Sequence, residues 1–482
     1  MAVRLNPISK PRIKSELLSK LGSDKVKDDQ ESLNFYAEDY TESPKSMPDF
    51  VVKATDNDDI IKVLKICAFN NIALIPAIQN TNVGGLCIPE SGGIILDMRD
   101  MNKIISVDAE NKYMIIEPGV SFGQIKEYLD ENYPDLRFAY PLSPPHTSVL
   151  AGCLMDGLGN LSLRHGAMSK WIQGLEVILS DGQIVKTASN ALSEYWFSRS
   201  PFPDLTSLFI NMQGTTGIVS KMAVRLWDKQ PYNKRFFVLS YDIDSAFSFI
   251  GKLIKLDICD DIGGITWTAG KMLYGSHKPI IKDENEPVIH IYIEISAPHP
   301  EMLNIKEKLL FDTLKEYPKT AFEEPFDVEK IFHISPEFKK FAEFPTDLDF
   351  LSKYEGRGLT WIGTYGPFSR LSEGVSKCMD IMVKHNFPPT IVSRPMDGGH
   401  YSVLRLIVRF NKDDDSEILR IKNMYNEALK LILDLGFIPY KTPVWIQKHI
   451  KSKLDIGFVK LLSKIKKNLD PAHILNPGKW DL

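Results

Sequence analysis

Apolar positions change their period several times between residues 46 and 119. Phe50-Val51-Val52 forms a short apolar run after Pro48-Asp49. Thr55-Asp56-Asn57-Asp58 then supplies helix-starting side chains. Ile60, Val63, Leu64 and Cys67 follow at helical spacing, which predicts an amphipathic helix over 57–70. A second short run, 72–76, stops at Pro76 and gives way to the small-residue turn Asn80-Thr81-Asn82-Val83-Gly84-Gly85. Further apolar runs are Ile94-Ile95-Leu96-Asp97-Met98 and Tyr113-Met114-Ile115-Ile116, the latter closed by Glu117-Pro118-Gly119. Strand, helix, strand and turn predict a βαβ unit opening a mixed α+β domain. No GxGxxG follows the first strand, so the pattern is not the Rossmann one and NAD is not implied.

The block 141–182 reads differently. Pro141 to Ser148 is a rigid, extended lead, and 151–160 is rich in small residues, followed by His165-Gly166. Such a backbone can lie flat against a planar ring. An apolar strand, Leu175-Glu176-Val177-Ile178-Leu179, and an Asp181-Gly182 hairpin turn come next. Residues 229–434 read as antiparallel strands separated by helices at about 300–316, 370–386 and 415–435. The strand 288–296 alternates strictly, isoleucines on one face and His290, Tyr292 and Glu294 on the other. In 401–410, Leu404, Leu406, Val408 and Phe410 share a face, and Tyr401, Arg405 and Arg409 share the opposite one. Residues 360–365 are a third strand. This predicts a sheet with its apolar face on helices and an Arg/His/Tyr-bearing face turned elsewhere. A lysine-rich helix over 444–468 and the stretch Asp470 to Lys479 close the chain, and 10–29 reads as a partly mobile surface helix in a lead-in without chemistry.

Composition narrows the class. At 482 residues the chain is too long for one core, and 43% hydrophobic with 25% charged residues is ordinary for a globular protein. A net charge of −4 gives no general attraction to nucleic acid. Five scattered cysteines without a CxxC argue against zinc or an iron–sulfur cluster and for a reducing compartment, which sets the expectation of a cytoplasmic protein without a metal. There is no secretory h-region and no apolar run of membrane-spanning length.

The loop 76–85 can bring many backbone N–H groups round one anion, a diphosphate being the candidate, because no bulky Cβ blocks the approach. Its neighbours carry a resemblance. Glu117-Pro118-Gly119-Val120, the block 147–182, Gly214-Thr215-Thr216-Gly217-Ile218-Val219, and Asp470-Pro471 through Asn476-Pro477-Gly478-Lys479 occur in the order seen in FAD-linked oxidoreductases of the vanillyl-alcohol oxidase and p-cresol methylhydroxylase family. The chain resembles that family over roughly 46–228 and 435–482. The resemblance implies an α+β fold: a lead-in (1–45), a two-part FAD-binding domain (46–228, with 435–482 returning to it), and a cap or substrate domain (229–434) whose antiparallel sheet closes over the flavin. It implies FAD contacts at Pro76, Ala77, Ile78, Gln79, Asn80, Thr81, Asn82, Val83, Pro141, Thr147, Ser148, Gly152, Cys153, Gly157, Gly159, His165 and Asn476, with Gly217, Ile218 and Val219 at the adenine end.

For substrate, the resemblance places Tyr440 and Lys441 on a Tyr-Arg anchoring pair, but Val83 on the loop tyrosine and Ala167 on an aspartate of the phenol-oxidising branch. The sibling branch oxidises 2-hydroxy acids and clamps the carboxylate with arginines, for which Arg394, Arg405 and Arg409 are candidates, though that branch's metal-associated histidine motifs are absent. The expected function is hydride removal from an alcohol or 2-hydroxy-acid carbon by FAD, with electrons passed to an external protein or quinone. The alternatives are oxidation of para-substituted phenols and a non-catalytic FAD-holding subunit. The candidate catalytic set is Tyr440, Lys441, Arg405 and His400, and His400 is also the candidate for a covalent link to an otherwise non-covalent flavin. A small-molecule substrate is expected as ligand, and assembly with further copies stays open.

Overall fold

The computed structural model describes residues 9–82, 84–200, 202–273, 276, 278–329, 344–346 and 356–480. The βαβ unit forms with one difference. Strands Phe50–Lys53 and Leu74–Ala77 are not neighbours, because Ile94–Asp97 lies between them and pairs parallel with both. Ile94, Ile95 and Leu96 are fully buried, as a central parallel strand requires. The connecting helix is Asn57–Asn70, with Asp56 accepting from the Asp59 N–H at 2.9 Å as its cap and Ile60, Val63, Leu64 and Cys67 buried. It ends at Asn71 in the left-handed region. An antiparallel sheet of five strands follows in the order 104–108, 113–116, 218–225, 172–178, 184–186.

The lead-in is more structured than its polar composition suggests. Helix Lys10–Leu21 buries Ile13, Leu17 and Leu21 in the same core as Ile60 and Val63, and Val26 pairs with Val52 at the edge of the first sheet.

The larger sheet has eight strands among the described residues, in the order 326–327, 232–240, 289–297, 261–266, 390–396, 401–411, 357–366, 438–439, all antiparallel. Ile289, Ile291, Ile293 and Ile295 share one core with Leu404, Leu406, Val408 and Phe410 and with the apolar sides of helices Ile243–Lys255, Pro300–Leu314, Leu371–Lys384 and Asp415–Asp434. The opposite face turns toward the half of the molecule that carries the loop after Leu74–Ala77 and encloses a cavity with it.

The single C-terminal helix expected over 444–468 is two helices, Val444–Ile450 and Ile456–Leu469, broken where Asp455 caps the second by accepting from the Phe458 N–H. The chain then returns to the first sheet: Leu74 N–H donates to Ile474 O, and Asn476 N–H donates to Leu74 O. Lys466, one of the lysines of that lysine-rich stretch, is buried. Its Nζ donates to Asp470 at 2.5 Å, Leu475 O at 2.8 Å and Thr215 O at 2.9 Å. Removing one member of a buried ion pair strands the other, so Lys466→Met should lower stability by about 3–5 kcal/mol. Urea unfolding checks this, and a change below about 1 kcal/mol would show that the pair is dispensable. Among the described residues no helix is long and apolar enough to cross a membrane.

Candidate active site

The loop leaving strand Leu74–Ala77 is held from outside. Asn80, at φ +50°, donates from Nδ2 to Phe35 O at 2.6 Å, and Asn82 Oδ1 accepts the Gly84 N–H at 2.7 Å. Gly85, at φ +70°, gives its N–H to Asp39 at 2.7 Å, so the lead-in shapes this loop. Lys479 supports it from beneath, donating to Gly85 O and Ile88 O, and Asn476 donates to Leu86 O and Gln213 O. The N–H groups of Gln79, Asn80, Thr81 and Asn82 find no acceptor among the described residues. Thr81 and Asn82 line the cavity together with Pro141, Ser143, Thr147 and Gly152, and the Ser143 and Thr147 hydroxyls are buried without a partner. Ser148 is engaged as a helix cap, accepting from Ala151 N–H and donating to Pro118 O. Val83 lies outside the described residues.

The sheet supplies the other wall. Arg405 and Lys441 reach the cavity, and neither has a carboxylate partner among the described residues. Arg405 donates to the Tyr440 hydroxyl, its guanidinium lies 4.5 Å from the centre of the Trp361 ring, and its Nε is buried and unpaired. Tyr440 stacks on Tyr365 at 4.3 Å and 7°, and Tyr365 donates to Asp156 O at 2.6 Å. Gly363 makes this possible, since a Cβ there would stand 2.6 Å from the Tyr440 ring. Burial raises the Tyr440 phenol against the opposing effect of Arg405. Lys441 sits at φ +49° with Nζ 5.8 Å from the Trp361 ring centre. Burial, reinforced by the Arg405 charge, brings its amine down to about 8. Asp156 is also left-handed, at φ +50°, and left-handed non-glycine residues gather where a site over-determines the backbone.

Several expected residues are elsewhere. Arg394 lines the cavity but is neutralised by Asp261, whose carboxyl burial pushes up to about 6, and it also donates to Gly159 O. Arg409 does not line the cavity. His400 is exposed beyond Gly398 and Gly399, both at positive φ, and is outside the cavity wall, because this turn swings it away before the strand begins. His165 stacks on Trp227 at 4.7 Å instead of facing the cavity, and burial holds its imidazole down at about 4. Cys153, Ile218 and Val219 point into the core, so any contact they make with a ligand is through backbone. Ile78 is also buried in that core. His290 does line the cavity, and burial depresses it to about 4, so it is neutral at pH 7. The register row His290, Ile265, Val392, Arg405 separates it from Arg405 by three strand spacings, about 14 Å.

Residues 48–188 match the family described as FAD binding domain, and residues 360–480 match that described as FAD linked oxidases, C-terminal domain. The chain is an FAD-linked oxidoreductase carrying both of these domains. It is 25% identical to glycolate oxidase subunit GlcD of Bacillus subtilis, over 97% of this chain and 96% of that one. It is also 25% identical to the 4-cresol dehydrogenase [hydroxylating] flavoprotein subunit of Pseudomonas putida, over 91% and 88%. A solved structure of p-cresol methylhydroxylase with substrate bound shares the fold, with a TM-score of 0.88 at 21% identity over 99% of this chain and 98% of that one.

For a FAD-linked oxidoreductase the unpaired donors of the loop are informative. Four consecutive N–H groups without an acceptor among the described residues, and two buried hydroxyls without a partner, fit a diphosphate and ring bearing many acceptors. Trp361, Tyr365, Asp261, Asp156 and Asp39 were not singled out from sequence. Each meets the site only through pairing across strands or loops far apart in the chain, and no local pattern marks them.

Proposed function

We propose that the chain oxidises a small organic anion at an oxygen-bearing carbon, with 2-hydroxy acids as the substrate class. The carrying observation is Arg405 and Lys441, two cations without carboxylate partners among the described residues, in a cavity whose wall also includes Trp361, Ile407 and Leu158. An anionic head group relieves that charge, and an apolar body fits the remaining wall. FAD would be held by the loop Pro76 to Asn82, by Ser143 and Thr147, and along Pro141, Gly152, Gly157 and Gly159. When bound, it supplies the hydride acceptor. Arg405 offers a planar fork to a carboxylate, Tyr440 holds its hydroxyl where Arg405 fixes it, and the cap sheet excludes water. In this reading 46–228 with 435–482 is the flavin unit and 229–434 the cap. Electrons would leave to an external acceptor, a reading supported by the cytochrome named for the similar D-lactate dehydrogenase of Arabidopsis thaliana, 25% identical over 97% of this chain and 80% of that one. Five free cysteines support a reducing compartment, the cytoplasm.

A second reading, oxidation of para-substituted phenols, is favoured by Tyr440 and its stacked partner Tyr365, which suit an aromatic guest. Anaerobic mixing of the flavin-loaded protein with 2-hydroxy acids and with para-alkylphenols separates them. Bleaching of the flavin by a 2-hydroxy acid is expected, bleaching by phenols alone would replace the first reading with the second, and bleaching by neither would leave a flavin-holding subunit.

A further inference from the structure

The helix Ile456–Leu469 covers nothing with its outer side. Ile456 is 67%, Phe458 51% and Leu461 58% exposed. Phe458, Leu461 and half-buried Ile465 fall at i, i+3 and i+7, which makes one apolar stripe. Lys460, Lys464 and Lys467, at i, i+4 and i+7, run along its flank, all exposed. The preceding helix and turn add exposed Lys448, Lys451 and Lys453. Between Val444 and Leu469 the one acidic residue is Asp455, and it is occupied as the helix cap. This concentration stands on a chain whose net charge is −4. The helix cannot turn its stripe inward, because Lys466, roughly 80–140° round the helix from the stripe, is pinned to Asp470, Thr215 and Leu475 and the carbonyl of Leu469 accepts from Ser180.

We propose that this helix docks the enzyme on an anionic lipid bilayer surface. Charge complementarity selects the anion, and the apolar stripe selects a bilayer over an acidic protein. Phe458 and Leu461 enter the boundary between head groups and acyl chains while the lysines beside them meet lipid phosphates. Lysine stems of that length lie along apolar surface and keep their charge at the interface. The protein would then ride in the membrane plane without crossing it.

Sedimentation of the flavin-loaded protein with vesicles tests this. Vesicles of phosphatidylcholine containing about one-quarter phosphatidylglycerol should bind at least about tenfold more protein than pure phosphatidylcholine, and high salt should release it. The double variant Phe458→Ser/Leu461→Ser should lose about tenfold in binding, and Lys460→Glu/Lys464→Glu at least as much, with flavin content and turnover unchanged. In Phe458→Trp the indole emission should shift to the blue on adding the anionic vesicles and not on adding neutral ones. No binding to anionic vesicles at low salt, or equal binding by the serine double variant, would overturn the proposal. So would a dimer that the serine double variant splits without lipid, since a second copy would then be what covers the stripe.

Discussion

Arg405→Met is expected to lower kcat/KM for the bleaching substrate by a hundredfold or more while leaving flavin content unchanged. Arg405 is buried, donates to Tyr440 and lies over Trp361, and its Nε has no partner among the described residues. A guanidinium so placed is complete only with an anion in the cavity. Truncating one side of a buried, charge-assisted contact typically costs about 2–5 kcal/mol, and each 1.4 kcal/mol is about tenfold. Flavin content should hold because the loop donors and the Ser143 and Thr147 hydroxyls are supplied by other elements. Arg405→Lys should recover little, since the ammonium has no planar fork and cannot hold both the tyrosine and a carboxylate. Tyr440→Phe should show a smaller loss in the same direction. A loss below about threefold in Arg405→Met would remove Arg405 from the substrate site.

The architecture around this residue was legible where side chains repeat with a short period. The alternation of isoleucines in 289–295 and of leucines in 404–410 assigns the two faces of the cap sheet, and the structure buries those sets against helices. Parity alone also turns Arg405 and His290 to the same face. What parity cannot give is distance across the sheet. The register puts three strand spacings between their backbones, although both side chains reach the same cavity. Buried charge was equally hidden. Lys466 sits among solvated lysines in sequence and differs from them only through Asp470, one helical turn on, and the carbonyl of Thr215, hundreds of residues away. His165 follows a small-residue stretch suited to a flat ring, yet the ring it meets is that of Trp227.

Lys441 stands where the resembling family carries an arginine, and this should be readable in the pH profile. Its amine is brought down to about 8 by burial and by Arg405, against weaker help from Asp156 and Cys153. Below that pH it is charged and holds the anion together with Arg405; above it the charge is lost. The free enzyme's ionisations govern kcat/KM, so kcat/KM should fall as pH rises through about 8, approaching tenfold per unit. The bound anion favours the charged amine and raises its pKa in the complex, so kcat should hold to higher pH and the change should appear mainly in KM. Lys441→Arg should abolish the break, because a guanidinium stays protonated throughout the range, even if the altered shape lowers the plateau. A profile that rises toward pH 8 would have the opposite sign and would assign the neutral amine as a proton acceptor instead. A flat profile from about pH 7 to 9.5 in the unaltered enzyme would show that Lys441 does not hold the substrate's charge.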